Sequence, residues 1–306
     1  LLQGLDSFAG KLLHMKLILF LFLIISLAAV SAMMVKNKSL VLGKTDVIIS
    51  AILNEHRKIL VYVPDGVNES ATDPVKYPVL YLLDGDAHFV PVTETVKQLS
   101  EINGNTACPK MIVVAVVHTD RARDLTPSHS MLGPEGQTIA DFKTSGGSEN
   151  FIGFIEKELI PYVDAAYPTS AFKILMGHSL SGLTVMHTFL HHSALFNAYI
   201  AIDPSAWWDN QKLLREAGEI LKKNFDGISL FLGVANTIPE GLDITSVQRD
   251  ISNQSFHIRS NLELVGILKS HPDNGLRWQY TYYPEHNHGS VQPKASYDAL
   301  QFVFKS

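Results

Sequence analysis

The chain predicts an α/β fold, a mostly parallel twisted sheet with helices on both faces. Three observations point there. Continuous apolar runs such as Met111-Ile-Val-Val-Ala-Val-Val117 read as strands buried on both faces. Stretches with apolar residues at helical spacing lie between such runs. No internal repeat and no low-complexity linker divides residues 33–306, so they read as one domain.

The elements follow in order. Val47–Leu53 and Lys58–Val63 read as a strand pair joined by polar Asn54-Glu-His-Arg57. Tyr77–Leu83 and Met111–Val117 are buried strands. Ser148 is the expected N-cap of a helix whose apolar positions include Phe151, Phe154, Ile155 and Leu159. Phe172–Met176 is the next strand, and a helix follows Ser179 with Leu183, Met186 and Leu190 on one face. Phe196–Ile202, Ile228–Val234 and Trp278–Tyr283 complete the set. In such a sheet, ligands bind beyond the carboxyl ends of the strands.

Of the 306 residues, 46% are hydrophobic and 18% charged, enough apolar material for a large core. The net charge of -5 lacks the basic footprint of a nucleic-acid binder, and no nucleic-acid partner is expected. The single cysteine, Cys108, excludes an intramolecular disulfide and reads as a packed or exposed thiol. Met15-Lys16, the apolar run Leu17–Val30 and the small residues of Val30-Ser31-Ala32 make a secretory pattern. It predicts a signal peptide over 15–32, export to a periplasm or beyond, and no stable membrane partner after cleavage. Met33, Met34 and Val35 extend the apolar stretch and leave an uncleaved anchor as the alternative. Residues 1–14, which precede Met15, read as a non-native upstream extension.

The chemistry centres on Met176-Gly-His-Ser-Leu-Ser-Gly182, where a buried strand ends and a helix begins. An α/β-hydrolase places its nucleophile on such a turn, with small residues on both sides so that the hydroxyl projects. Ser179 is therefore the candidate nucleophile, although Ser181 stands where the usual motif has its last Gly. A serine hydroxyl needs a base, and the chain order of this fold places a His after the last strand. His286 and His288 compete there. Gly289 lets the loop turn back after His288, which is preferred over a His-x-His metal site. The third member is sought after Ile228–Val234, where Asp243 is chosen ahead of Glu240 and Asp250, with an acid-free dyad also open. The backbone N–H groups of Leu180 and Asp86 are the expected oxyanion donors. Arg121 and Arg123 follow a strand end and are candidates for binding an acidic or polyoxygenated substrate. Trp207 and Trp208 follow another and are candidate walls of an aromatic pocket.

These residues resemble the esterase branch of the α/β-hydrolases, which includes enterochelin-esterase-like hydrolases and mycolyltransferases. The resemblance is carried by Leu82-Leu-Asp-Gly85, Gly177-His-Ser-Leu-Ser-Gly182, Asp203-Pro-Ser-Ala-Trp-Trp208 and His288-Gly-Ser-Val291, and spans residues 45–305. Thr119-Asp-Arg-Ala-Arg-Asp-Leu-Thr-Pro127 is similar to a string in secreted bacterial members. The resemblance implies Ser179 as nucleophile, His288 as base and the backbones of Asp86 and Leu180 as oxyanion donors. It maps the acid ambiguously. The expected activity is carboxylic ester hydrolysis through an acyl-enzyme, without metal or organic cofactor, on a small-molecule ester. An acyltransferase using the same acyl-enzyme and a non-catalytic binder on a hydrolase scaffold are the alternatives. Because the imidazole must start neutral, activity is expected to fall below about pH 6.

Overall fold

The computed structural model describes residues 14–24, 41–64 and 75–305. The chain divides into two compact units, residues 1–41 and 42–306. In the first, residues 14–24 form a helix with exposed apolar side chains such as Leu19 and Phe22. The rest of the expected signal, with Val30-Ser31-Ala32, lies outside the described residues, as do residues 1–13. No helix among the described residues is long and apolar enough to cross a membrane.

Among its described residues the second unit carries eight strands: β1 (Lys44–Ser50), β2 (Glu55–Tyr62), β3 (Tyr77–Leu82), β4 (Ile112–Val116), β5 (Thr169–His178), β6 (Ala198–Ile202), β7 (Ser229–Ala235) and β8 (Arg277–Tyr283). They form one sheet in the order β1-β2-β4-β3-β5-β6-β7-β8. β1 and β2 pair antiparallel, β2 is antiparallel to β4, and every pairing from β4 to β8 is parallel. Central β4 and β6 are buried at every position, as continuous apolar strands between two helical layers must be. The expected alternation of strand and helix is met. The first hairpin turns at residues 51–54, three positions earlier than its polar residues suggest, with Asn54 in the left-handed region at φ 52.

The helices are α1 (Gly85–Ser100), α2 (Arg121–Leu125), α3 (Ser148–Phe154), α4 (Ile160–Ala166), α5 (Leu180–His191), α6 (Trp208–Ile220), α7 (Phe256–Lys269) and α8 (Val291–Phe304). A π-helical turn at Ile155–Leu159 joins α3 to α4. Gly147, not Ser148, is the N-cap of α3, and Ser148 is buried in its first turn. One face of the sheet packs on α1 and α8 through Phe89, Val92, Val96, Ala295, Ala299 and Leu300. The other packs on α3 to α7 through residues including Phe151, Val163, Met186, Leu213 and Leu264. The sheet is thus a fixed platform, and the loops at its carboxyl edge carry the site.

Candidate active site

Ser179 stands between β5 and α5 with φ 63 and ψ -120. A non-glycine residue there is strained, and the surrounding backbone holds it. Its N–H donates to the Ile202 carbonyl at 3.0 Å, and its own carbonyl accepts from Leu183 and Ser205. The close approach explains the glycines. A Cβ on Gly177 would lie 2.6 Å from Ser181 backbone atoms, and one on Gly182 would lie 3.0 Å from the Ile202 carbonyl oxygen. Ser181, the departure from the usual motif, is fully buried, and its hydroxyl donates to the Asp84 carboxylate at the end of β3.

His288 precedes α8. Its Nε2 lies 3.1 Å from Ser179 Oγ, and its Nδ1 lies 2.6 Å from Asp203 Oδ2. The acid partner is therefore Asp203 at the end of β6, which corrects the expectation of Asp243. Asp243 is exposed and spends its carboxylate on a local turn, accepting from the Thr245 and Ser246 amides. Glu240 and Asp250 have no bond to His288. Asp203 is fully buried with φ 40. Its Oδ1 accepts from the Ala235 amide at 3.0 Å and Asn261 at 3.1 Å, and its Oδ2 also meets His257 Nε2 at 2.9 Å. Burial pushes this carboxyl up, but His257 and His288 outweigh burial and hold it far below the usual carboxylate range.

His257 and Asn261, from α7, were not legible as site residues, because nothing in a helical pattern marks which polar residue reaches a distant carboxylate. Asp203 did have a signal. It lies at a strand's carboxyl end between Ser179 and His288, within the Asp203–Trp208 string.

The N–H of Leu180 opens α5, and that of Asp86 lies in the first turn of α1. First-turn amides have no carbonyl of their own helix to bond, so both helices present free donors there. The rings of His88 on α1 and His178 beside Ser179 are 5.9 Å apart, which brings that first turn next to the elbow. Burial, then the neighbouring His288, lowers the His178 pKa to about 4, so a neutral imidazole packs 4.5 Å from the His288 ring.

A cleft of about 290 Å³ opens on Ser179 and His288, lined also by His257, Thr237, Glu135 and Trp207. Trp207 is therefore placed on the cleft wall, whereas Trp208 is 1% exposed, donates its indole N–H to the Ser128 carbonyl and packs edge-on against Phe142. Neither arginine lines this cleft. Arg121 grips Asp84 with two bonds of 2.7 and 2.8 Å. Arg123 is committed to Glu55, Asp124 and Thr119. Both hold the scaffold through charge-assisted bonds, which overturns their expected place at the substrate.

A strand–turn–helix serine at the cleft, bonded to a histidine that is itself bonded to a buried carboxylate, defines the serine-hydrolase class on an α/β-hydrolase fold. Residues 50–226 match the family described as "Putative esterase". The chain is 26% identical over 271 residues to the ferri-bacillibactin esterase BesA of Bacillus subtilis, covering 85% of this chain and 89% of that protein. It is 31% identical over 165 residues to a siderophore enterobactin esterase of Emericella nidulans, about half of each chain. An IroE-like serine hydrolase from Shewanella oneidensis superposes with a TM-score of 0.77 at 32% identity, over 86% of this chain and 80% of that one. The chain belongs to this esterase family and is a serine ester hydrolase.

Proposed function

We propose that the chain is an exported siderophore esterase that cleaves carboxylic esters through an acyl-enzyme on Ser179. The observation that carries the mechanism is the continuous hydrogen-bonded line from Ser179 Oγ through His288 to Asp203. His288 Nε2 takes the hydroxyl proton as Ser179 Oγ attacks the ester carbonyl carbon. Asp203 holds the Nδ1–H tautomer and stabilises the imidazolium that forms. The Leu180 and Asp86 amides receive the oxyanion. As the tetrahedral adduct collapses, His288 returns the proton to the leaving alcohol. Water, deprotonated by the same imidazole, then releases the acid and restores Ser179.

The siderophore reading draws on the bacillibactin and enterobactin esterases to which the chain is similar. Export draws on Met15-Lys16 and the apolar run after it. The test combines a fluorophosphonate probe with product analysis. Wild type should gain one adduct that Ser179→Ala lacks, and should linearise a cyclic tri-ester siderophore to fragments seen by mass spectrometry. Adduct formation without siderophore cleavage would keep the esterase and remove the substrate. No adduct on folded protein would remove the mechanism. In an exporting host, an amino terminus after Ala32 on the external protein is expected, and a full-length cytoplasmic product would sink the export reading.

A further inference from the structure

Two clusters of metal-competent side chains stand out among the described residues: Asp203, His257 and His288 in the active site, and Glu149, His187 and His192 away from it. In the second, His187 lies near the end of α5, His192 is the C-cap that follows it, and Glu149 is in the first turn of α3. Glu149 Oε1 lies 2.6 Å from His187 Nε2, and Glu149 Oε2 lies 3.1 Å from His192 Nε2. All three ligand atoms fall within 4.8 Å of one another.

We propose that Glu149, His187 and His192 bind one divalent transition-metal ion of the zinc type. Two imidazole nitrogens and one carboxylate oxygen form a donor set suited to such an ion rather than to magnesium or calcium, which prefer all-oxygen shells. Ligand atoms at about 2.0–2.2 Å from a tetrahedral ion stand a little over 3 Å apart. The present spacings need only a small opening, with the ion replacing the two ring protons that now face the carboxylate. Access differs among the three. The side chains of Glu149 and His192 are 58% and 32% exposed, while that of His187 is 8% exposed. A hydrated ion can therefore enter from the Glu149 side and lose water onto a fixed imidazole. The active-site cluster lacks this freedom. Asp203 already accepts from Ala235, Asn261, His257 and His288, so an ion there must break bonds that position the triad. At the outer site the ion clamps the last turn of the nucleophile-bearing helix to α3, leaving the chemistry untouched.

The test uses purified protein without a polyhistidine tag. Zn²⁺ titrated by calorimetry should bind one per chain and raise Tm. Glu149→Gln, at an exposed position, and His192→Ala, at a half-buried one, should each weaken binding at least tenfold and abolish the Tm rise while keeping wild-type ester hydrolysis. Substituting Mg²⁺ should give no binding. Failure of Zn²⁺ to bind would overturn the proposal. So would binding that survives both substitutions and inhibits hydrolysis in step with occupancy, because the ion would then sit on Asp203, His257 and His288. None of these outcomes depends on the siderophore reading.

Discussion

Asp203 and Asp243 both satisfy the order Ser…acid…His along the chain, and only position in space separates them. Asp203 Oδ2 meets His288, whereas Asp243 is tied to its own turn. Asp203→Asn should therefore lower kcat by about 10³–10⁴-fold, the cost of losing the carboxylate that sets the tautomer. Asp243→Asn should leave kcat within a factor of two, at most a few tenths of a kcal/mol for an exposed change. Steady-state kinetics on a chromogenic ester decide this, and equal losses would remove Asp203 from its role. His178 sets a second expectation. Its ordinary value of 6.5 is lowered to about 4, with burial the first cause. As pH falls from 6.5 towards 4, the unfolded chain takes up this proton and the folded chain does not. Stability is thus full above that window and declines within it, by about 3 kcal/mol for this group. Burial also lowers His88 and His187, so wild type should lose more than this one share. Urea unfolding at pH 7 and pH 4.5 should show a shallower loss for His178→Asn than for wild type. Parallel losses would contradict a buried neutral His178.

At the scale of elements, the turn from β5 to α5 is the tightest constraint. Gly177 has backbone against its Cβ position at 2.6 Å, and that backbone belongs to Ser181 in the nucleophile helix. Gly177→Ala should cost about 1–3 kcal/mol by overpacking, and should lower kcat by displacing Ser179 from His288. Ser181→Ala acts differently. It removes one donor from Asp84, which keeps both bonds from Arg121, so a loss of about 1–2 kcal/mol with modest kinetic change is expected. Chemical denaturation paired with kcat separates the two, and equal kinetic losses would mean that the Ser181 tie sets the elbow geometry. This turn was readable beforehand because strand end, glycine and helix start are local signals. So were β3, β4 and β7, whose apolar runs are continuous. The acid escaped because Asp203 and His288 are 85 residues apart, and no local pattern encodes that meeting. The arginines misled for a related reason. Arg121 and Arg123 follow a strand end as site residues do, but their partners Asp84 and Glu55 come from other strands' ends.

Across the whole molecule, the carboxyl edge of the sheet divides into two polar assemblies that meet at the elbow. The triad draws on the ends of β5, β6 and β8. On the other side, a chain of contacts runs from fully buried Arg57 on β2 to Asp124, then through His118 to Asp84 and Ser181. Asp124 is the hub, accepting from Arg57 at 2.7 Å, from Arg123 at 2.9 Å and meeting His118 at 3.3 Å. Burial raises its pKa, but the His118 bond, the Arg57 charge and the Arg123 bond outweigh that and keep it ionised. Removing the hub and removing one spoke should therefore differ. Asp124→Asn leaves the buried Arg57 cation with only Glu55 and Thr119, and should destabilise by about 3–5 kcal/mol. Arg57→Met leaves Asp124 with Arg123 and His118, and also removes the Arg57 Nε and Nη2 donors that have no partner. Its cost should be smaller, about 1–3 kcal/mol, because burying Met in place of an incompletely satisfied cation offsets part of the lost pair. Urea midpoints at unchanged m-value measure the order directly. If Arg57→Met proves the costlier change, the guanidinium's packing on Phe151 and Phe154, rather than its charge on Asp124, carries the stability of this half.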